Sequence, residues 1–238
     1  MLNKKRKNSI LKLAIAITVV AVIGIILGGY SFYLTYQAES FGEKELCVTS
    51  KCLVSFSEKT EGVIKIFEVT AWLLTIIATI GGVFVALMTY QTGIRNSNLS
   101  NHISHLNMFR DFINAEILKR KYLTPERINI YQWYVLIFPD SKYGDVLISE
   151  KYEDSILNIY NVVNDANDKI SEATGKYDYR THQFKIIASL EKLGIKISNG
   201  TKNEFVAIEL QVFDLIDCVN MTFTEVNTEL SKLERKYT

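Results

Sequence analysis

From Val69 to Ile94 the chain runs 26 residues without a formal charge, VTAWLLTIIATIGGVFVALMTYQTGI. As a helix rising about 1.5 Å per residue, this run reaches about 39 Å. The hydrocarbon core of a bilayer is about 30 Å thick, so the run is long enough to cross it. With its shoulder from Val63, which carries Lys65 and Glu68 one turn apart at the edge, it predicts a membrane span over residues 63–94. The rest of the chain is read by its relation to this segment.

A second uncharged stretch precedes it, Leu13–Ala38. It predicts a first span over residues 9–36, entered from a basic tail at residues 1–8. A cleaved secretory signal is the competing reading. Against it stand the length of the apolar block and the aromatics Tyr30, Phe32, Tyr33 and Tyr36, which suit a membrane interface better than a small-residue cleavage site. Residues 1–12 hold Lys4, Lys5, Arg6, Lys7 and Lys12 and no acid, whereas the loop at 37–62 has more acids than bases. By the positive-inside rule the N-terminus and the region after the second span are cytoplasmic, and the 37–62 loop is periplasmic. A bacterial inner membrane is the expected location.

Neither span carries a charge at its centre, which argues against a transporter or proton pump. A pore gated by dewetting stays open as a reading. Both spans carry small residues at close-packing intervals: Gly24 and Gly28 in the first, and a stripe of Ala71, Thr75, Ala78, Gly82 and Ala86 in the second. Lipid gives no hydrophobic drive for helix association, so close backbone approach must supply it. The expectation is a tight hairpin, packed through Gly24, Gly28, Ala78, Gly82 and Ala86, that also forms homo-oligomers. In the external loop, Cys47 and Cys52 could close a short disulfide in an oxidising compartment. Idle thiols are the alternative, and two ligands alone make a poor zinc site.

The 48% of apolar residues is concentrated in these two spans, and the 144 residues at 95–238 match one ordinary domain. Their charges nearly balance, so the broad basic footprint of a nucleic-acid binder is missing. Leu99, Ile103, Leu106, Phe109, Ile113 and Ile117 recur at three and four, giving a helix that continues the second span or follows a short break. Thr124-Pro125-Glu126 predicts a helix start with Thr124 as cap. A buried helix follows and ends at Pro139, with a strand as the weaker option, and a turn around Gly144 comes next. Helices are expected over about 149–174 and 179–193, with a short strand near 195–198. The last helix is expected over about 202–236, its apolar positions running from Phe205 to Leu233. This seam suits packing within the domain or a coiled-coil contact.

His102 and His105 share a helical face. Without an H-E-x-x-H pattern or a companion cysteine they read as polar groups at a packing boundary, not as metal ligands. No phosphate loop, serine elbow or cysteine–histidine pair is present. The fold class expected is all-α, a two-helix transmembrane hairpin followed by a cytoplasmic helical bundle, with no enzymatic activity and no cofactor.

This layout, with Asn101-His102-x-x-His105-x-x-x-Phe109 just beyond the second span, resembles the two-transmembrane effector proteins of bacterial retron anti-phage systems. The resemblance implies an effector restrained by a reverse transcriptase with its DNA–RNA hybrid. On release during infection such an effector damages the membrane and arrests growth. No catalytic residues carry over, and no direct nucleic-acid contact is implied. A membrane-anchored sensor or signalling adaptor is the alternative function.

Overall fold

The computed structural model describes residues 2–43, 49–171 and 177–238. The chain divides into two compact units, Met1–Ile94 and Arg95–Thr238. Among the described residues all regular secondary structure is helical.

The first unit contains helix α1 (Leu2–Ala38), a 3-10 turn at Phe41–Glu43, and the start of helix α2 (Ser50–Leu118), which continues unbroken into the second unit. Two stretches, Ile10–Ala38 and part of α2, are long and apolar enough to cross a membrane. Their surfaces agree with that reading. Ile25, Ile26, Val69, Trp72, Ile80 and Tyr90 are each 60–68% exposed, and an outward apolar shell of this extent needs an apolar surrounding. The span threonines add no free polar group. Thr18, Thr70, Thr75, Thr79, Thr89 and Thr92 each donate their hydroxyl to the carbonyl four residues earlier, which satisfies the side chain within its own helix.

In the second unit, residues 95–118 of α2 are joined by α3 (Ile130–Ile137), α4 (Glu150–Ser171), α5 (Tyr179–Lys192) and α6 (Lys202–Phe223). They enclose one core. Phe109, Ile113 and Ile117 of α2 meet Trp133 and Tyr134 of α3, Ile156, Ile159 and Val163 of α4, Ile186 and Leu190 of α5, and Val212, Leu215, Ile216 and Val219 of α6. Leu99 and Ile103, placed by sequence on the same stripe of α2, stay about half exposed.

Three local readings change. Thr124 makes no side-chain cap, and Pro125 opens only a 3-10 turn. The cap of α3 is Asn129, whose side chain accepts from the backbone N–H of Gln132, because Asn satisfies a free first-turn donor directly. The expected strand near 195–198 is one isolated bridge, Ile128 to Ile195. The last helix ends at Phe223, not near 236. Leu230 is still fully buried, so its apolar period is real, but the segment Thr224–Thr238 leaves the helix and folds back. Asp217 on α6 explains the return: its carboxylate accepts from the backbone N–H groups of both Leu230 and Ser231, at 2.8 Å each.

Candidate functional site

Two places on α2 carry the residues that sequence singled out: its contact with α1, and the turns just past Ile94. At the first, glycine decides which faces meet. A Cβ on Gly24 would lie 2.2 Å from the Thr70 side chain, one on Gly28 2.5 Å from the Phe67 ring, and one on Gly81 2.4 Å from Leu13. As the α1 number rises from 13 to 28, its α2 partner falls from 81 to 67, so the two helices run antiparallel. Gly24 and Gly28 sit at this contact. Gly82 does not, since nothing comes within 4 Å of a Cβ built there, and Ala78 and Ala86 are exposed. The reason is angular. Gly81 lies eleven residues after Thr70, three helical turns, on the same face, whereas Gly82 is rotated by about 100° from it. The stripe of Ala71, Thr75, Ala78, Gly82 and Ala86 is thus a second small-residue face, separate from the hairpin contact.

In the first turn of α2, Cys52 is in a disulfide, and Cys47, its expected partner, lies outside the described residues. Cys218 is a free thiol.

Past Ile94, the four motif residues separate by role. Asn101 is exposed. His102 is buried, with Nδ1 2.8 Å from Ser141 Oγ. That hydroxyl donates to the Phe138 carbonyl, so His102 carries its proton on Nδ1 and donates. His105 Nδ1 is 3.0 Å from the Tyr134 hydroxyl, and its ring lies edge-on to Phe138 at 4.8 Å. Burial, and then the neighbouring His102, push the His105 pKa below its ordinary value. Phe109 stands among Trp133, Tyr134 and Phe223, at centroid distances of 6.0, 5.6 and 5.1 Å. These perpendicular ring pairs favour one packing geometry over its alternatives. The arrangement fixes α3 and the end of α6 to α2. Among the described residues no group of three or more His, Cys, Asp or Glu is placed to hold a metal.

Sequence reasoning missed the polar groups that hold the rest of the second unit. Arg120, nearly buried, pairs with Glu116 at 2.9 Å and Asp214 at 2.6 Å, tying the end of α2 to α6. Asn167 on α4 donates to the Glu234 carbonyl and accepts from the Lys236 N–H. Glu209 is fully buried and accepts from the Tyr237 hydroxyl at 3.1 Å, with Arg235 and His182 at 3.6 and 3.7 Å. Burial, reinforced by the Glu209 charge, raises the Tyr237 pKa far above its ordinary value, so the phenol stays a donor. Each of these residues looks like an ordinary polar helix position in sequence. Apart from Glu116, four residues before Arg120, their partners lie tens of residues away, which leaves no local signal.

Comparison with known proteins adds a family. The family described as Retron Ec48 antiviral membrane protein matches residues 57–227. A protein of Escherichia coli named Retron Ec48 transmembrane protein is 43% identical over 209 residues, covering 87% of this chain and 89% of that one. No solved structure matches the chain.

Proposed function

The chain belongs to the Retron Ec48 antiviral membrane protein family, and from that premise we propose that it is the membrane-embedded effector of a bacterial anti-phage system. In this reading a reverse transcriptase with its DNA–RNA hybrid restrains the protein. Infection lifts the restraint, and the spans then compromise the inner membrane and arrest growth before the phage is released. The action needs no catalysis: the damage comes from rearrangement or assembly of apolar helices. Both termini face the cytoplasm, where the helical unit is the part a restraining complex can hold.

The observation that carries this reading is the pair of small-residue faces on uncharged spans. One face is occupied by the hairpin partner through Gly24, Gly28 and Gly81. The other, Ala71 to Ala86, is left exposed among the described residues, and it suits close approach of a second copy. Inducible expression in a bacterium, with growth and a membrane-potential dye followed together, tests the proposal. Depolarisation with arrest, suppressed by supplying the reverse transcriptase and its RNA, is the expected result. Normal growth and potential with the protein inserted and the restraining partners absent would overturn it.

A further inference from the structure

Helix α6 ends without a breaker. The last glycine is Gly200 and the last proline is Pro139, so no residue over 201–238 stops a helix by its own backbone. At Thr224 the bonding is still helical: its N–H and its hydroxyl both donate to the Asn220 carbonyl, at 3.0 and 2.9 Å. Beyond it the apolar steps continue through Val219, Phe223, Val226, Leu230 and Leu233, alternating four and three. That is the spacing of a helical seam. The backbone nevertheless turns back: as the residue number rises from 230 to 237, its partner on α6 falls from 217 to 209. Local pattern and observed conformation thus conflict over this one segment, and such conflict is how one sequence comes to have two nearby states.

The folded-back form is held by three clamps. Asp217 accepts from the N–H groups of Leu230 and Ser231. Asn167 donates to the Glu234 carbonyl and accepts from the Lys236 N–H. Glu209 accepts from the Tyr237 hydroxyl. The first two grip backbone, not side chains. Apolar anchoring is thin, since within 224–238 the buried apolar or aromatic side chains are Leu230 and Tyr237. The third clamp is incomplete. Glu209 Oε2, Arg235 Nη1 and His182 Nε2 are buried and have no hydrogen-bond partner among the described residues. Arg235 and His182 stand 3.6 and 3.7 Å from Glu209, beyond hydrogen-bond distance. Buried polar and charged groups without hydrogen bonds weaken the form that buries them.

We propose that Thr224–Thr238 is a two-state strap: docked on α4, α5 and α6 as observed, or detached, with α6 prolonged as helix through Leu233. Asp217 sets the balance. In a prolonged helix the N–H groups of Leu230 and Ser231 bond to the carbonyls of Val226 and Asn227, four residues earlier. Docked, they bond to one carboxylate instead. Burial of Leu230 and Tyr237 makes the docked form the resting one. Detachment frees Asn167 and Asp217, whose donor and acceptors then fit a second extended backbone in place of the strap.

Pulsed electron–electron distance measurement on the full chain in lipid nanodiscs tests this. Nitroxide labels go on Leu210→Cys and Lys236→Cys, both exposed positions, in a Cys218→Ser background, with labelled chain diluted into unlabelled chain. Cys52 is in a disulfide and takes no label. In the docked form the labels are neighbours, one residue from each end of the Tyr237–Glu209 bond. On a continuous helix they stand about 39 Å apart. With Asp217 in place the short distance should dominate. Asp217→Asn should add a narrow peak at about 39 Å, with far-UV ellipticity rising. Tyr237→Ser, which keeps Asp217, should add the same peak at lower amplitude. If Asp217→Asn does not fold, circular dichroism shows it and Tyr237→Ser decides. The long peak in either folded variant supports the proposal. A broad distribution without it means that the segment only frays, and an unchanged short distance means that it has one conformation; either result overturns the proposal. The distance is read without infection or growth, so it stands apart from the effector role.

Discussion

The two units solve the problem of buried polar groups in opposite ways. In the spans, each threonine hydroxyl bonds back to its own helix, as Thr70 does to Ile66, and contact between helices is made by the absence of side chains at Gly24, Gly28 and Gly81. In the second unit, buried side chains reach across the fold: Tyr152 donates to Asn220 and Asn167 grips the backbone near Lys236. The difference follows from solvent. Lipid offers no reward for clustering apolar groups, so only close packing discriminates one helix arrangement from another. Water rewards burial in any arrangement, and polar clamps then specify which arrangement forms. The spans should therefore be sensitive to added volume and the second unit to lost polar partners.

The largest effect expected is at the hairpin. Gly24→Leu places a branched side chain where Thr70 already stands and should separate α1 from α2. Oxidative cross-linking of a Leu13→Cys/Gly81→Cys pair should then be lost, together with growth arrest, at unchanged expression. Gly82→Leu should leave that cross-link intact, because its Cβ meets nothing. If it also abolishes arrest, the second small-residue face is used between copies. If both variants lose the cross-link, the contact is not made by glycine.

In the second unit, Asp217→Ala removes two charge-assisted bonds to the buried segment at Leu230 and Ser231. At about 1.5–3 kcal/mol per bond to a charged group, the loss is about 3 kcal/mol or more. Thermal unfolding should show it, and protease should cut within 224–238 before cutting the core. A change below about 1 kcal/mol, within the range of an ordinary surface substitution, would mean that the segment is held by Tyr237 and its neighbours alone.

Sequence was informative wherever one solvent decided the pattern. The two apolar runs became the two apolar helices, and Phe109, Ile113 and Ile117 reached the core as their three–four spacing implied. It failed where two spacings coincided. Val226, Leu230 and Leu233 continue the period of α6, and Leu230 is buried, yet the backbone there is not helical because Asp217 offers its amides a better acceptor. It failed again at Gly81-Gly82, where both residues are small and only the direction of the neighbouring helix says which is in contact. The motif at Asn101 to Phe109 located a real packing site, but Ser141, which holds His102, and Gly144, which admits Asn98, came from a loop that sequence treats only as a turn. Gly144→Ala should cost about 1–2 kcal/mol, since it combines a left-handed φ with a close approach to Asn98, and Asn98→Ala should relieve only the second part.

The smallest effect expected separates burial from charge at His105. Its folded pKa lies below the ordinary value of 6.5, chiefly through burial, with His102 adding to it. The neutral ring is thus favoured in the folded unit, which binds fewer protons than the unfolded chain. Stability is fully present above about pH 6.5 and declines as pH falls from there toward the folded pKa. Glu116, held low by Lys119 and Arg120, acts in a different window: its contribution is present above its unfolded pKa of 4.5 and is lost only below that. Unfolding midpoints measured between pH 7 and 5 should therefore fall by an amount that His105→Gln removes. A decline that persists unchanged in His105→Gln would assign it to another group.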